Sequence, residues 1–292
     1  MVKRVLLTGG GGFSGSYYAE SLAAAGFNLI VHAGRSRGRL PDDFEVRTGA
    51  KVITGELDEL QIESPLDIII HAGACSYAPG VTFNHMTRAN ILGTQNIAKI
   101  ANQNSVKNVI YFSSLSVYGK VDGPYVNELT SFFHPDFYGV SKYIGELALQ
   151  NPVNEFSSIS IRLPGVLGSG AVRNFLANVK NKARIGEPIS FFGAKNLFNN
   201  AVHVSDLSKF LIKLLDENIS GHDTIVVGAT EKITVGEAVA SINETCGSRS
   251  AILPEDNTSQ PVFLIDDERA REVYSYESMN IRSMIITFAK EE

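Results

Sequence analysis

The chain has no tryptophan, two cysteines and four methionines in 292 residues. Cys75 and Cys246 offer neither a disulfide framework nor a metal-ligand spacing. No metal is therefore expected, and two reduced thiols suit a cytoplasmic protein. A basic excess is also missing. Lys and Arg number 26 against 31 Asp and Glu, a formal charge of −5, so no footprint for nucleic acid exists. No apolar run reaches the ~18 residues of a membrane span. The opening Val2-Lys3-Arg4-Val5-Leu6-Leu7 breaks at Thr8, short of the ~7–15 apolar residues of a signal core, and reads as a first strand. Hydrophobic residues at 44% and charged residues at 20% describe an ordinary globular chain of one large domain or two.

What is present is an alternation. Val5-Leu6-Leu7, Leu29-Ile30-Val31, Val52-Ile53, Ile68-Ile69-Ile70, Val109-Ile110-Tyr111-Phe112 and Ile159-Ser160-Ile161 read as strands. Several are apolar throughout, as parallel strands covered on both faces require. Helical patterns at 15–25, 88–102 and 138–150 lie between them. The alternation predicts an α/β fold with a Rossmann-type doubly wound parallel sheet. After Pro164 the pattern changes: a loop at 168–170, a basic helix at 174–184, and a Gly- and Asn-rich connection at 188–200. A helix at 204–215 with Ser205 as its N-cap follows, then a strand Ile225-Val226-Val227 and a helix at 235–245 capped by Thr234. The expected organisation is a nucleotide-binding domain over 1–166, to which 200–230 returns, and a smaller substrate lobe made of 167–199 and 231–292.

The turn Thr8-Gly9-Gly10-Gly11-Gly12-Phe13-Ser14-Gly15 follows the first strand and opens a helix, placed there from Ser16. Gly9, Gly12 and Gly15 permit a tight turn, close approach to a pyrophosphate, and close helix–strand packing. The helix N-terminus adds unpaired N–H groups for the phosphates. A dinucleotide site is expected here. The second strand then ends in His32-Ala33-Gly34-Arg35-Ser36-Arg37, without the acid that reads a ribose 2′-OH in NAD sites. Arg35 and Arg37 are suited to pair with a 2′-phosphate and Ser36 to donate to it, which favours NADP(H), with NAD(H) as the alternative.

Tyr138 and Lys142 are four apart and share one helix face. A free tyrosine, with a pKa of about 10, is a poor base at neutral pH. A neighbouring ammonium is expected to favour its phenolate. The phenol can then take or give a proton as hydride moves. Ser114 ends the strand upstream, with Ser113 as its rival. His71 reads as a packed strand-end residue.

These residues resemble, in order, the motifs of the extended short-chain dehydrogenases/reductases, the nucleotide-sugar epimerase/dehydratase group. Thr8 to Gly15 is similar to TGGxGFxG. Asp67-Ile68-Ile69-Ile70-His71-Ala72-Gly73-Ala74, Asn90-Ile91-Leu92-Gly93-Thr94 and Ser113-Ser114-Leu115-Ser116-Val117-Tyr118-Gly119 resemble later landmarks, as do Tyr138-Gly139-Val140-Ser141-Lys142, Arg162-Leu163-Pro164-Gly165 and Val202-His203-Val204-Ser205-Asp206. The resemblance implies a catalytic set of Ser114, Tyr138 and Lys142, with Lys142 also holding the nicotinamide ribose. It implies cofactor contacts from Phe13, Ser14, Glu56, Leu57, Ala72, Gly73, Ala74, Ser113, Pro164 and Val166. Asn90 is read as support for the site, or as a helix cap. Substrate contacts are expected from Cys75, Ser76, Ser116, Arg173, Asn174 and Phe191, with Phe192 beside it. The helices at 88–102 and 138–150 match the pair through which relatives form homodimers.

Two departures narrow the chemistry. Relatives often carry arginine four residues before His203, where this chain has Asn199; Arg269 and Arg271 are read as solvated helix charges, with substitution for that arginine as the alternative. Dehydratases of the family carry Asp-Glu after the catalytic Ser or Thr, but Leu115-Ser116 stands here. The leading expectation is NADP(H)-dependent reduction of a keto-sugar nucleotide. An NAD-dependent nucleotide-sugar epimerase, a reductase of a non-sugar carbonyl, and a dinucleotide sensor are the alternatives.

Overall fold

The computed structural model describes residues 2–151, 153–217, 219–255 and 263–292. Along the chain run β1 (Arg4–Thr8), α1 (Phe13–Ala24), β2 (Asn28–His32), α2 (Phe44–Thr48), β3 (Lys51–Ile53), β4 (Ile68–His71), α3 (Phe83–Met86), α4 (Gly93–Gln103), β5 (Asn108–Ser114), β6 (Tyr125–Val126), α5 (Phe137–Leu149), β7 (Ser157–Leu163) and β8 (Gly165–Leu167). Then come α6 (Phe175–Ile185), β9 (Ile189–Phe192), β10 (Leu197–Phe198), β11 (Ala201–His203), α7 (Val204–Leu214), β12 (His222–Val226), β13 (Ile233–Thr234), α8 (Val235–Thr245), β14 (Ile252–Glu255), β15 (Leu264–Ile265), α9 (Glu268–Tyr274) and α10 (Ile281–Lys290).

Seven strands form one sheet in the order β12-β7-β5-β4-β1-β2-β3. Val5, Leu6, Leu7, Ile69 and Ile70 are fully buried, because helices cover both faces of this parallel Rossmann-type sheet. The chain moves outward from β1 to β3, then resumes on the other side of β1 with β4. That reversal leaves a crevice at the carboxyl ends of β1 and β4, where ligands of such sheets bind.

The chain separates into two compact units. The first comprises Met1–Gly119, His134–Arg162 and Ser208–Ile225; the second comprises Lys120–Phe133, Leu163–Leu207 and Val226–Glu292. The first has a core around Leu6, Ile69, Ile97, Val109 and Tyr111. The second packs α6, α8 and α10 around Leu176, Ile242, Ile281 and Phe288. Lys120–Phe133 belongs to the second because β6 pairs with β15, a long-range pairing that local pattern does not reveal.

Three local expectations need correction. The connection at 188–200 contains the strands β9 and β10. Ser205 is not an N-cap: α7 starts at Val204, and the Ser205 hydroxyl is hydrogen-bonded to His203 Nδ1 at 2.7 Å. Helix α1 starts at Phe13, three residues before the expected Ser16. Thr234 does cap α8, in a reciprocal capping box with Glu237. Among the described residues no helix is long and apolar enough to cross a membrane.

Candidate active site

The crevice is tied together by Thr8. Its hydroxyl accepts the Gly73 N–H at 3.1 Å and shares a 2.7 Å hydrogen bond with His71 Nδ1. His71 Nε2 lies 2.9 Å from the Thr94 hydroxyl, and burial holds the imidazole well below its usual pKa. It is a neutral strut between strands. Among the described residues no group of His, Cys, Asp or Glu is placed to hold a metal ion.

The glycine turn closes when Gly12 N–H donates to the Gly9 carbonyl at 2.9 Å and Gly10 N–H to that of His32 at 3.0 Å. A Cβ on Gly15 would collide with the Gly9 carbonyl, so only glycine lets α1 begin against the turn. Among the described residues no side chain caps α1, and no acid lies in its first turn. The amides of Phe13, Ser14 and Gly15 are thus left for an anion. Helix start and absent Cβ together make a cradle fit for a pyrophosphate.

Beyond β2, Arg35 and Arg37 already hold carboxylates. Arg35 Nε donates to Glu56 at 2.6 Å and Arg37 Nη1 to Glu45 at 2.6 Å. Ser36 is exposed between them. Leu57, one residue past Glu56, is 6% exposed and belongs to the core cluster.

Helix α5 brings Tyr138 and Lys142 beside the end of β5. Asp136 caps it by accepting the Gly139 N–H at 2.8 Å. A Cβ on Gly139 would strike the Ser116 carbonyl, so this glycine lets α5 pass close to the turn after β5. The Ser114 hydroxyl lies near the Tyr138 phenol and pulls its pKa down, and it accepts the Ser116 N–H at 3.1 Å. Lys142 is 2% exposed, with its Nζ 4.1 Å from the centre of the Tyr111 ring.

The electrostatics differ from the sequence expectation. Burial pushes Tyr138 up; the Ser114 hydroxyl pulls back, while Asp136 and Cys75 push further. Lys142 does not set the direction, because its own burial lowers it to about 7 against the opposing pull of Glu146. The phenol is a neutral acid in this state.

Ser113 points away from Ser114's cluster and donates to Glu146. Asn90 is not a helix cap. It lies in the π-helical stretch Thr87–Leu92, where its Oδ1 accepts the Cys75 N–H at 2.7 Å. Its Nδ2 donates to the Cys75 carbonyl at 2.8 Å and to Ser141 at 2.9 Å. Asn90 therefore fastens the loop of Ala72, Gly73, Ala74, Cys75 and Ser76 to α5. Tyr77 follows on that loop, half-exposed, with its ring 6.4 Å from that of Tyr138.

The remaining expected residues lie in the second unit. Asn174 is the N-cap of α6, accepting the Ala177 N–H at 2.8 Å and donating to Val166 at 2.9 Å. Arg173 before it is exposed. Pro164 precedes β8, which holds Val166 against Val202 of β11. Phe191, expected as a substrate contact, is 4% exposed and packs in the core, while alternation along β9 turns Phe192 outward. A cavity of about 450 Å³ is lined there by Phe175, Phe192, Leu197, Phe198, Asn200 and Phe263, with Phe191 reaching it from the core. Among the described residues the buried Asn200 Oδ1 has no hydrogen-bond partner. Asn199 is no substitute for an arginine: its amide clamps the Ile265 backbone, donating at 2.9 Å and accepting at 2.8 Å. Arg271 is paired with Asp267 at 2.7 Å.

Sequence reasoning missed one cluster. Glu146, Arg162 and Tyr118 form a buried polar group against Ser113. The available signal was an arginine at the end of an apolar strand, which must find a partner.

The chain is similar to known proteins in sequence and fold. Residues 5–228 match the NAD dependent epimerase/dehydratase family. The sterol-4-alpha-carboxylate 3-dehydrogenase, decarboxylating, of Dictyostelium discoideum is 31% identical over 62% of this chain, and the match spans 59% of that relative's length. A UDP-glucose 4-epimerase of Vibrio cholerae is 25% identical over 83% of this chain and 75% of its own. The solved structure of MoeE5 in complex with UDP-glucuronic acid and NAD superimposes with a TM-score of 0.82 at 25% identity, covering 98% of both chains. With the family match extending from β1 to the end of β12 and the fold shared end to end, the chain is an enzyme of the NAD dependent epimerase/dehydratase family.

Proposed function

We propose that the protein is an NADP(H)-dependent oxidoreductase of a nucleotide-sugar, reducing a keto-sugar to the alcohol. The observation that carries this reading is the Tyr138 phenol, held neutral by burial near the Ser114 hydroxyl and one helical turn from the buried Lys142. A neutral phenol is the form that donates a proton to a ketone oxygen.

A nicotinamide bound there would supply hydride to the carbonyl carbon. Tyr138 gives its proton to the carbonyl oxygen, Ser114 donates a hydrogen bond to that oxygen, and the tyrosinate is reprotonated from solvent. Lys142 holds the nicotinamide ribose and stabilises the transient phenolate. The glycine turn and the start of α1 hold the pyrophosphate, and Arg35 and Arg37 take the 2′-phosphate. In the second unit, the aromatic cavity and the orphan Asn200 acceptor support recognition of a flat base that carries an N–H. Relatives and structural neighbours that act on or bind UDP-sugars support the same substrate class.

The second reading is an NAD-dependent epimerase. It is favoured by the carboxylates that already hold Arg35 and Arg37, and by NAD in the MoeE5 structure. Incubation with NADPH and a 4-keto sugar nucleotide separates the two. Cofactor oxidation is expected; its absence, with interconversion of sugar epimers, overturns the reductase. A homodimer through α4 and α5 is part of the proposal. Phe83, stacked on Phe137 at 4.6 Å, and exposed Leu92 and Leu147 supply apolar surface on and beside these helices.

A further inference from the structure

A buried carboxylate stands behind Lys142, and proton transfer to substrate makes no use of it. Glu146 is fully buried, one helical turn beyond Lys142 on α5. Arg162 of β7 binds it through two parallel hydrogen bonds, Nε to Oε1 at 3.0 Å and Nη2 to Oε2 at 2.7 Å. Ser113 of β5 donates to the same carboxylate, and Arg162 Nη1 donates to the Tyr118 hydroxyl at 2.8 Å. All of these groups belong to the unit that carries Ser114, Tyr138 and Lys142.

Stability is a weak reason for such a pair. Apolar replacements of similar volume are often as stable, because two ions must be stripped of water to form it. Its placement is informative instead. Ser113 immediately precedes Ser114, and Glu146 shares a helix face with Lys142. We propose that Glu146, fixed by Arg162 and Ser113, is a positioning residue that sets the charge on the buried Lys142 amine and locks the strand end presenting Ser114.

Among the described residues, Tyr111, His71 and Glu146 act on that amine, with the Arg162 guanidinium bonded to Glu146 and Tyr138 four residues before Lys142 on its own helix. Tyr111 of β5 lies beneath the amine, and His71 of β4 interacts with it at longer range. His71 is held neutral and both tyrosines are held protonated by burial. Glu146 is thus the negative group acting on the amine. It opposes the burial that brings Lys142 down to about 7. Without it the amine would titrate lower still, and the protonated fraction that can grip a ribose and support a phenolate would fall.

This inference rests on the reading of Lys142 as the nicotinamide-ribose ligand, but its measurement needs neither cofactor nor substrate. The full-length protein is labelled with ε-13C lysine, and the Lys142 resonance is assigned by its loss in Lys142→Met. In Glu146→Gln the resonance is expected to titrate about one pH unit lower than in the wild type. In Glu146→Asp, which keeps the charge, it should stay nearer the wild-type midpoint, whereas a purely structural role would move both variants alike. Should Glu146→Gln leave Arg162 too poorly paired to fold, Glu146→Gln/Arg162→Gln buries a neutral pair and is expected to shift in the same direction. An unchanged midpoint in the folded variant overturns the inference. A separate NADPH titration across pH tests the other reading: a shifted Lys142 midpoint with unshifted cofactor affinity keeps the charge-setting role and removes the ribose contact.

Discussion

Arg35 Nε donates to Glu56 Oε1 at 2.6 Å, so the cation after β2 already holds an anion. The pair is largely in water, with side-chain exposures of 64% and 30%. Exposed pairs contribute only about 0–1 kcal/mol, so a doubly charged phosphate can displace the carboxylate at little cost. Arg35→Ala is therefore expected to weaken NADPH by roughly tenfold and NADH far less. Glu56→Gln should act in the opposite sense and tighten NADPH, by freeing Arg35 and removing a like charge. Fluorescence titration of both cofactors checks this, and equal losses in Arg35→Ala would refute the 2′-phosphate role.

Tyr138→Phe removes the proton donor and leaves the packing of α5 in place. Turnover should vanish while cofactor affinity stays within about tenfold of wild type. Steady-state kinetics paired with a binding titration separates the two effects. Wild-type turnover in this variant contradicts the mechanism.

Asn199 is 7% exposed, and it satisfies both backbone groups of Ile265. Truncation to alanine leaves a buried N–H and a buried carbonyl unpaired, at a cost of about 2–4 kcal/mol. Asn199→Arg, which restores the residue common in relatives, should be at least as destabilising, because a guanidinium cannot accept the Ile265 N–H. Denaturant unfolding gives both values. A loss below about 0.5 kcal/mol in Asn199→Ala would show that β15 is held by other contacts.

Lys142 makes stability depend on pH in a definite direction. Its folded pKa, about 7, lies below the ordinary 10.5, so between these values the unfolded chain binds the extra proton. Stability should rise as pH increases through this window. Burial raises the pKa of Tyr18, Tyr111 and Tyr276, which reverses the trend once free tyrosines ionise above about 10. Unfolding free energy measured from pH 6 to 11 is expected to rise and then fall. Lys142→Met should flatten the rise; the same rising limb in that variant excludes Lys142 as its source.

The order of strands and helices in the first unit was legible because parallel strands buried on both faces must be apolar throughout. The glycine turn was legible because no other residue permits its close contacts. β9 and β10 were not, since their Gly- and Asn-rich context resembles a loop until β14 and β13 pair with them. Ser113 against Ser114 could not be settled by motif alone. The structure separates them by partner: Glu146 takes the first, and Ser116 takes the second, which lies near Tyr138.

By itself the sequence determined the family, the glycine turn and the Tyr138–Lys142 spacing, because each is set by local geometry over a few residues. Tertiary structure decided which charges are already paired, and it decided the direction of the site's titrations. Burial depends on chain segments remote in sequence: β4 and β5 close over Lys142, Arg162 comes from β7 to meet Glu146, and Ile265 occupies the amide of Asn199. A motif fixes which groups stand together. The dielectric around them, and therefore their charge, exists only once the chain has packed.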